Sequence, residues 1–357
     1  PYAHGRPALA LVSALVALSA SGPVDRVSPR SSVLSDVLSA LIAGYEVGAR
    51  AGGWLRIQPG MHVDGNWPAI GVAAGVARLI GLDSRRCWNA VALAACQLPT
   101  SLYLPIQTGD DARNTYPAHA ATLGMQAALA SASGITAPEQ ALAHYARDFA
   151  RPDGRPAPAD GRWFLRETYF KPHAGVRHAH YGFEAARAIR DQLGRRSETI
   201  TRIRLRIYPE AAIYAGNRQP SAPITAQFSL SLGVAAGLRF GEMAPSLFRD
   251  ARLHDVELRR LEQRVEIEPV AELGADGRRA AHLTVWTEQG VFERSVDEIE
   301  GGPERPLDPA RIVGKFIHYS ADTLSEDAAR QFCDAVLYGA GDLDFGEAWR
   351  ALSASSR

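Results

Sequence analysis

Lysine is almost missing from this chain: Lys171 and Lys315 are the only two among 39 basic side chains, and 39 acidic side chains offset them. A neutral total removes the global positive field on which dedicated nucleic-acid binders rely, so any electrostatic function has to be local. The preference for arginine accompanies much alanine and reads as a high-GC coding bias. Cysteine is scarce too. Cys87, Cys96 and Cys333 are odd in number and show no CxxC or CxxxC spacing. That argues against a disulfide framework, a zinc knuckle or a chain-held iron–sulfur cluster, and it fits a reducing, cytoplasmic setting. Long apolar runs are missing as well. The run from Pro7 to Ala20, preceded by His4-Gly5-Arg6, imitates a targeting signal but is too short to cross a bilayer. Pro7 ahead of Ala, Leu and Val fits the first turn of a buried helix instead. No methionine opens the chain, and the expectation is that it begins within a larger protein.

What is present is an ordinary globular composition, 46% apolar and 22% charged over 357 residues, enough for one large domain or two smaller ones. From Pro7 to about Ala150 the periodicity is helical, interrupted by turn signals such as Ser21-Gly22-Pro23, Gly52-Gly53 and Ser133-Gly134. Val33, Leu34, Val37, Leu38, Leu41, Ile42 and Tyr45 recur at three- and four-residue steps and predict a core-facing helix. Ser84 and Thr136-Ala137-Pro138 read as helix starts. Past the loop RPDGRPAPADGR (151–162) the period becomes two. TRIRLRIYP (201–209), RVEIEPV (264–270), AHLTVWTEQ (281–289) and VFERSV (291–296) read as strands, with GADG (274–277) as a hairpin-type turn. Helices are predicted at about 179–193 and 225–240 among the strands, and again at about 324–352. The fold class that results is mainly α: a large all-helical domain, 1–165 and 309–357, with a smaller α+β domain, 166–308, inserted in it.

Three stretches set His or Arg beside Gly and Pro, where side chains can face a cleft. PGMHVDGNWPAIG (59–71) carries His62, with a helix expected from about Pro68. TGDDARNTYPAHA (108–120) carries Arg113 and His119. FKPHAGVRHAH (170–180) gathers three of the ten histidines with Lys171 and Arg177. Plainer readings stand beside these: His62 as a capped loop histidine, His119 as a partly buried helix residue, Arg113 as the partner of Asp110 or Asp111. His178-Ala179-His180 suits two metal ligands on a strand, yet no HExxH or paired-carboxylate pattern accompanies it. Between Thr168 and Pro220, ten basic side chains face four acidic ones. That surplus favours a small polyanion over nucleic acid, because no stacking aromatics are interleaved with it.

Five segments in order, LIAGYEVGAR (41–50), GMHVDGNWPAIGVAAGVARLIGLD (60–83), ARNTYPAHAATLG (112–124), FKPHAGVRHAHYGFEAA (170–186) and TAQFSLSLGVAAGL (225–238), resemble the MmgE/PrpD family over essentially the whole chain. That family includes 2-methylcitrate dehydratases, cis-aconitate decarboxylases and iminodisuccinate epimerases. The resemblance implies a helical domain built from both chain ends, an α+β lid, and a site between them that uses no cofactor and no metal. It also implies a homodimer acting on a small polycarboxylate, with neither nucleic acid nor membrane as partner. Position by position, His62 and His180 fall on the family's active-site histidines, and His4 on the histidine of an HPxxP-like segment. Arg113 stands where many members carry lysine, and Leu232 where some carry tyrosine. Arginine keeps the charge but is a fixed planar clamp that does not act as a base. The implied chemistry is proton removal next to a carboxylate by His62 and His180, with Arg113, Lys171, Arg177 and His4 holding carboxylates. Water loss is the favoured outcome, epimerisation and decarboxylation are the alternatives, and a non-catalytic carboxylate binder is the reading from outside enzymology.

Overall fold

Backbone approaching backbone organises the helical part of the chain. In the computed structural model, which describes residues 5–21, 32–157, 160–194 and 199–355, α1 (Pro7–Ala20) buries Leu11, Ala14 and Leu15, with Pro7 in the first turn, where its missing N–H costs nothing. α2 (Leu34–Trp54) and α3 (Pro68–Leu79) cross at glycines. A Cβ on Gly44 would come within 2.6 Å of the Gly71 carbonyl oxygen, and one on Gly71 within 2.6 Å of the Gly44 carbonyl oxygen. Trp67, fully buried just before α3, lies against Gly52, whose Cβ would meet the indole at 2.5 Å. α4 (Ser84–Ala95) starts under a cap from Asp83, which accepts from the Arg86 amide at 2.8 Å, so Ser84 is its first residue and not its cap. α5 (Tyr116–Ala132) and α6 (Ala141–Phe149) follow. The helices Glu326–Tyr338 and Phe345–Ala354 return to this unit. There the Leu34 amide donates to Leu343 O at 2.8 Å and the Phe345 amide to Ser32 O at 2.9 Å.

The second unit is α+β. Its sheet has the order β4-β3-β5-β6, from β3 (Ile200–Ile207), β4 (Val265–Pro269), β5 (Ala281–Thr287) and β6 (Gly290–Val296). β3 and β4 run parallel, and the other pairs are antiparallel. A parallel neighbour needs a long crossover, and the segment between β3 and β4 supplies it. Alternation in β3 works as expected: Ile203, Leu205 and Ile207 are fully buried, while Arg202 and Arg206 pair with Glu266 and Glu268 across the parallel register. α7 (Arg177–Leu193) and α8 (Leu230–Arg239) pack their apolar faces into the same core as the sheet.

Several expectations shift. GADG lies between two strands that are not neighbours, so it is no hairpin; the hairpin is β5–β6, turned at 288–289. The helix expected at 225–240 is broken at Phe228 and Ser229, where the Ser229 hydroxyl caps a new helix by accepting from the Leu232 amide. The stretch expected as final helix divides into Glu326–Tyr338 and Phe345–Ala354, preceded by Pro309–Ser320. The chain divides into Pro1–Leu104, Ala112–Glu167 and Phe316–Arg357 on one side and Pro105–Asp111 and Thr168–Lys315 on the other; the sequence reading put the breaks at 165 and 308 and kept 105–111 with the helices. Among the described residues no helix is long and apolar enough to cross a membrane.

Candidate active site

The loop before α3 is built to hold an imidazole still. Gly60 takes a positive φ of 82°, which only glycine adopts freely, and the short ladder β1 (Met61–His62) with β2 (Ser101–Leu102) sets His62 opposite Ser101. A Cβ on Gly65 would reach 2.2 Å from the Ser101 hydroxyl, so the turn closes only with glycine there. His62 caps the 3-10 turn Val63–Gly65: its Nδ1 accepts from the Asp64 amide at 3.1 Å. The ring stacks on Tyr103 at 5.9 Å and lies 5.8 Å from Tyr116. Asp64, 3% exposed, is the hub of the charges. Arg6 Nη2 donates to its Oδ2, Arg113 Nη2 lies 3.6 Å from that oxygen, and His62 Nδ1 lies 3.8 Å away.

Among the described residues, two guanidiniums, that of Arg113 buried and that of Arg6 partly exposed, face one buried carboxylate. Burial by itself would raise the Asp64 carboxyl, but Arg6, His62 and Arg113 outweigh it and hold the group below its ordinary value. Burial pushes His62 down to about 4, and the nearby guanidiniums push the same way while Asp64 opposes them. A reaction that places negative charge on a substrate carboxylate would meet a matched field here.

In the second unit, α7 carries His178 and His180, which as i and i+2 on a helix point apart, not along a strand. His178 Nδ1 meets the Tyr208 hydroxyl at 2.6 Å, and His180 Nδ1 meets the Tyr169 hydroxyl at 2.6 Å. His180 is fully buried, and its Nε2 lies 3.1 Å from the Ala174 carbonyl. A carbonyl only accepts, so Nε2 carries the proton and the Tyr169 phenol donates to Nδ1. Burial first, then Lys171 and His173, lowers His180 well below the usual histidine range. Tyr169 is half-buried and lies under the Arg177 guanidinium, 4.2 Å from the ring centroid. Lys171 Nζ donates to Gly175 O at 2.9 Å, and His173 Nε2 bonds Glu184 at 2.6 Å.

Comparison with known proteins bears on both units. The family model of the MmgE/PrpD N-terminal domain matches residues 3–150, and that of the MmgE/PrpD C-terminal domain matches residues 173–337. The chain belongs to the MmgE/PrpD family. It is 26% identical to the human (Homo sapiens) cis-aconitate decarboxylase, over 94% of this chain and 71% of that protein. MmgE/PrpD proteins include dehydratases and decarboxylases that act on carboxylates.

Against that family background, the structure brings His62 and Arg113 together within the first unit, and within the second it gathers His180, Lys171 and Arg177. His4 lies outside the described residues. Arg113 lies 3.6 Å from the Asp64 carboxylate. His119 is exposed on α5. An imidazole titrating near neutrality is not what burial leaves at residue 62 or 180. Two of the arginines of 168–220, Arg202 and Arg206, pair with acids from outside that stretch, Glu266 and Glu268. Sequence reasoning missed Asp64, Arg6 and Tyr169. The signal for Asp64 was within the HVDG string, two residues past the histidine, where a carboxylate that close needs a cation to be buried.

Proposed function

We propose that the protein is a lyase acting on a small di- or tricarboxylate, removing a proton next to a carboxylate and eliminating water. The observation that carries this reading is the Arg6–Asp64–Arg113 cluster, built on a buried carboxylate and a half-buried Arg6, against His62 in a chain of the MmgE/PrpD family. The α-proton becomes acidic only if the charge that flows into the adjacent carboxylate is met by cations, and Arg113 with Arg6 supplies them. His180 is assigned to the proton-transfer apparatus by way of the Tyr169 phenol that its Nδ1 engages, and His62 to stabilising the charge that the step develops. Lys171 and Arg177 are assigned to carboxylate binding. Loss of a β-hydroxyl after proton removal gives an alkene. A second reading, loss of CO₂, is favoured by the likeness to a cis-aconitate decarboxylase.

Incubation with 2-methylcitrate, cis-aconitate and iminodisuccinate, followed by alkene absorbance, CO₂ release and optical rotation, separates the outcomes. Alkene formation from the hydroxy acid without CO₂ is the expected result. CO₂ release selects the second reading, racemisation alone selects an epimerase, and no turnover of any of the three removes the lyase proposal.

A further inference from the structure

A backbone N–H can only donate, so the nitrogen that it meets must offer a lone pair. The Asp64 N–H meets Nδ1 of His62. A neutral imidazole carries a single proton, which is thereby confined to Nε2. A second proton at Nδ1 would set two N–H groups against each other and would place an imidazolium in a buried spot that already holds two guanidiniums against one carboxylate. Among the described residues, the charged groups facing His62 are Asp64, Arg6 and Arg113, and the titratable rings packed on it are Tyr103 and Tyr116. Of these, only Asp64 favours the protonated ring, and its carboxylate is already engaged by Arg6 and Arg113.

We propose that Asp64 is a positioning residue whose main chain fixes His62 as the Nε2–H tautomer, so that His62 serves as a neutral hydrogen-bond donor and not as the base. This rests on the lyase reading for its chemical meaning. When the α C–H bond of the substrate breaks, its electron pair moves into the bond toward the carboxylate carbon and the charge settles on the carboxylate oxygens. The proton goes to the base, which on this assignment is a group other than His62. Nε2–H hydrogen-bonds to the oxygen that gains charge and keeps its own proton throughout. A neutral donor suits that task, because its proton is not surrendered in the step and its strength rises in a site that excludes water. The carboxylate of Asp64 serves the same end by holding Arg6 and Arg113 beside the ring.

The tautomer is read directly by ¹⁵N-detected NMR of the histidine-labelled protein, with the His62 signals assigned from their loss in His62→Gln. The expected result is an unprotonated Nδ1 and a protonated Nε2 from about pH 8 down to about pH 5, across the range where an ordinary histidine titrates. A proton on Nδ1, or titration of His62 near about 6.5, overturns the proposal. In the activity arm, His62→Gln keeps an amide N–H near the Nε2 position and should retain kcat/KM about tenfold above His62→Ala, the worth of a single hydrogen bond. Gln and Ala variants equally impaired overturn it. If no carboxylate is turned over, the lyase reading fails while the NMR result still decides the tautomer.

Discussion

At the scale of single residues, burial decides what His62 does. Its folded value of about 4 lies below the ordinary 6.5, so between those limits the unfolded chain binds a proton that the folded chain refuses. Stability is therefore intact above about pH 6.5 and falls as the pH drops toward 4, by about 3 kcal/mol for this group. Asp64 acts lower on the scale. Its carboxyl is held below its ordinary 3.8, so its contribution is present above that value and is lost only on stronger acidification. Urea denaturation between pH 6.5 and 4.5 should show a steeper loss in the wild type than in His62→Gln, which has nothing to protonate. Parallel losses in the two proteins would show that His62 is not kept neutral by the fold. His180 shifts in the same direction and remains in both proteins, so the difference isolates residue 62. At this scale the sequence identified His62 and Arg113 as site candidates. It did not show Asp64 between them, because their mutual approach depends on a turn closed by Gly65 and a ladder that pairs His62 with Ser101, far along the chain.

At the scale of elements, the crossing of α2 and α3 offers a contest between two known effects. Alanine is the better helix former, by about 1 kcal/mol over glycine. At Gly71 the added Cβ would stand 2.6 Å from the Gly44 carbonyl oxygen, and that obstacle is backbone, which cannot rotate away. Overpacking of this kind costs about 1–3 kcal/mol, so Gly71→Ala should be less stable than the wild type in thermal unfolding. A variant at least as stable would mean that the helices have room to part. The helical stripe of α2 was legible from its apolar spacing, and so was the alternation of β3. The order of the sheet was not. Hairpin chemistry in GADG pointed to a β4–β5 pair, whereas β3 lies between those strands, since turn residues act over four positions while strand pairing is settled by which apolar faces can share one core.

At the scale of the whole molecule, each unit has its own core: Leu11, Ile70, Val72 and their neighbours in one, Phe183, Ile189, Leu205 and Leu283 in the other. The second unit is nearly continuous in sequence, Thr168–Lys315 with the addition of Pro105–Asp111, whereas the first is assembled from three separated pieces. A fragment of residues 168–315 should therefore fold alone, with mixed α/β circular dichroism and a cooperative melt. Its stability should be reduced by the loss of the Ile106 carbonyl contact to Asn217 and of the packing of Gly109 on Ala222. A fragment without a cooperative transition would show that the second core depends on the rest of the chain.

Local sequence patterning determined the classes: a mainly helical chain, a change of period where the α+β part begins, and a cationic and histidine-bearing set of loops; the family resemblance rested on five motif strings, and the N- and C-terminal domain matches confirm it. Such properties are written in spacing, because a helix or a strand exposes its period within a few residues. Only the tertiary structure decided which charges meet. Asp64, Arg6 and Arg113 are drawn from positions 6 to 113, and their pairing depends on three backbone paths closing at one point, so the number of protons each group carries is a property of the fold and not of any segment of the chain.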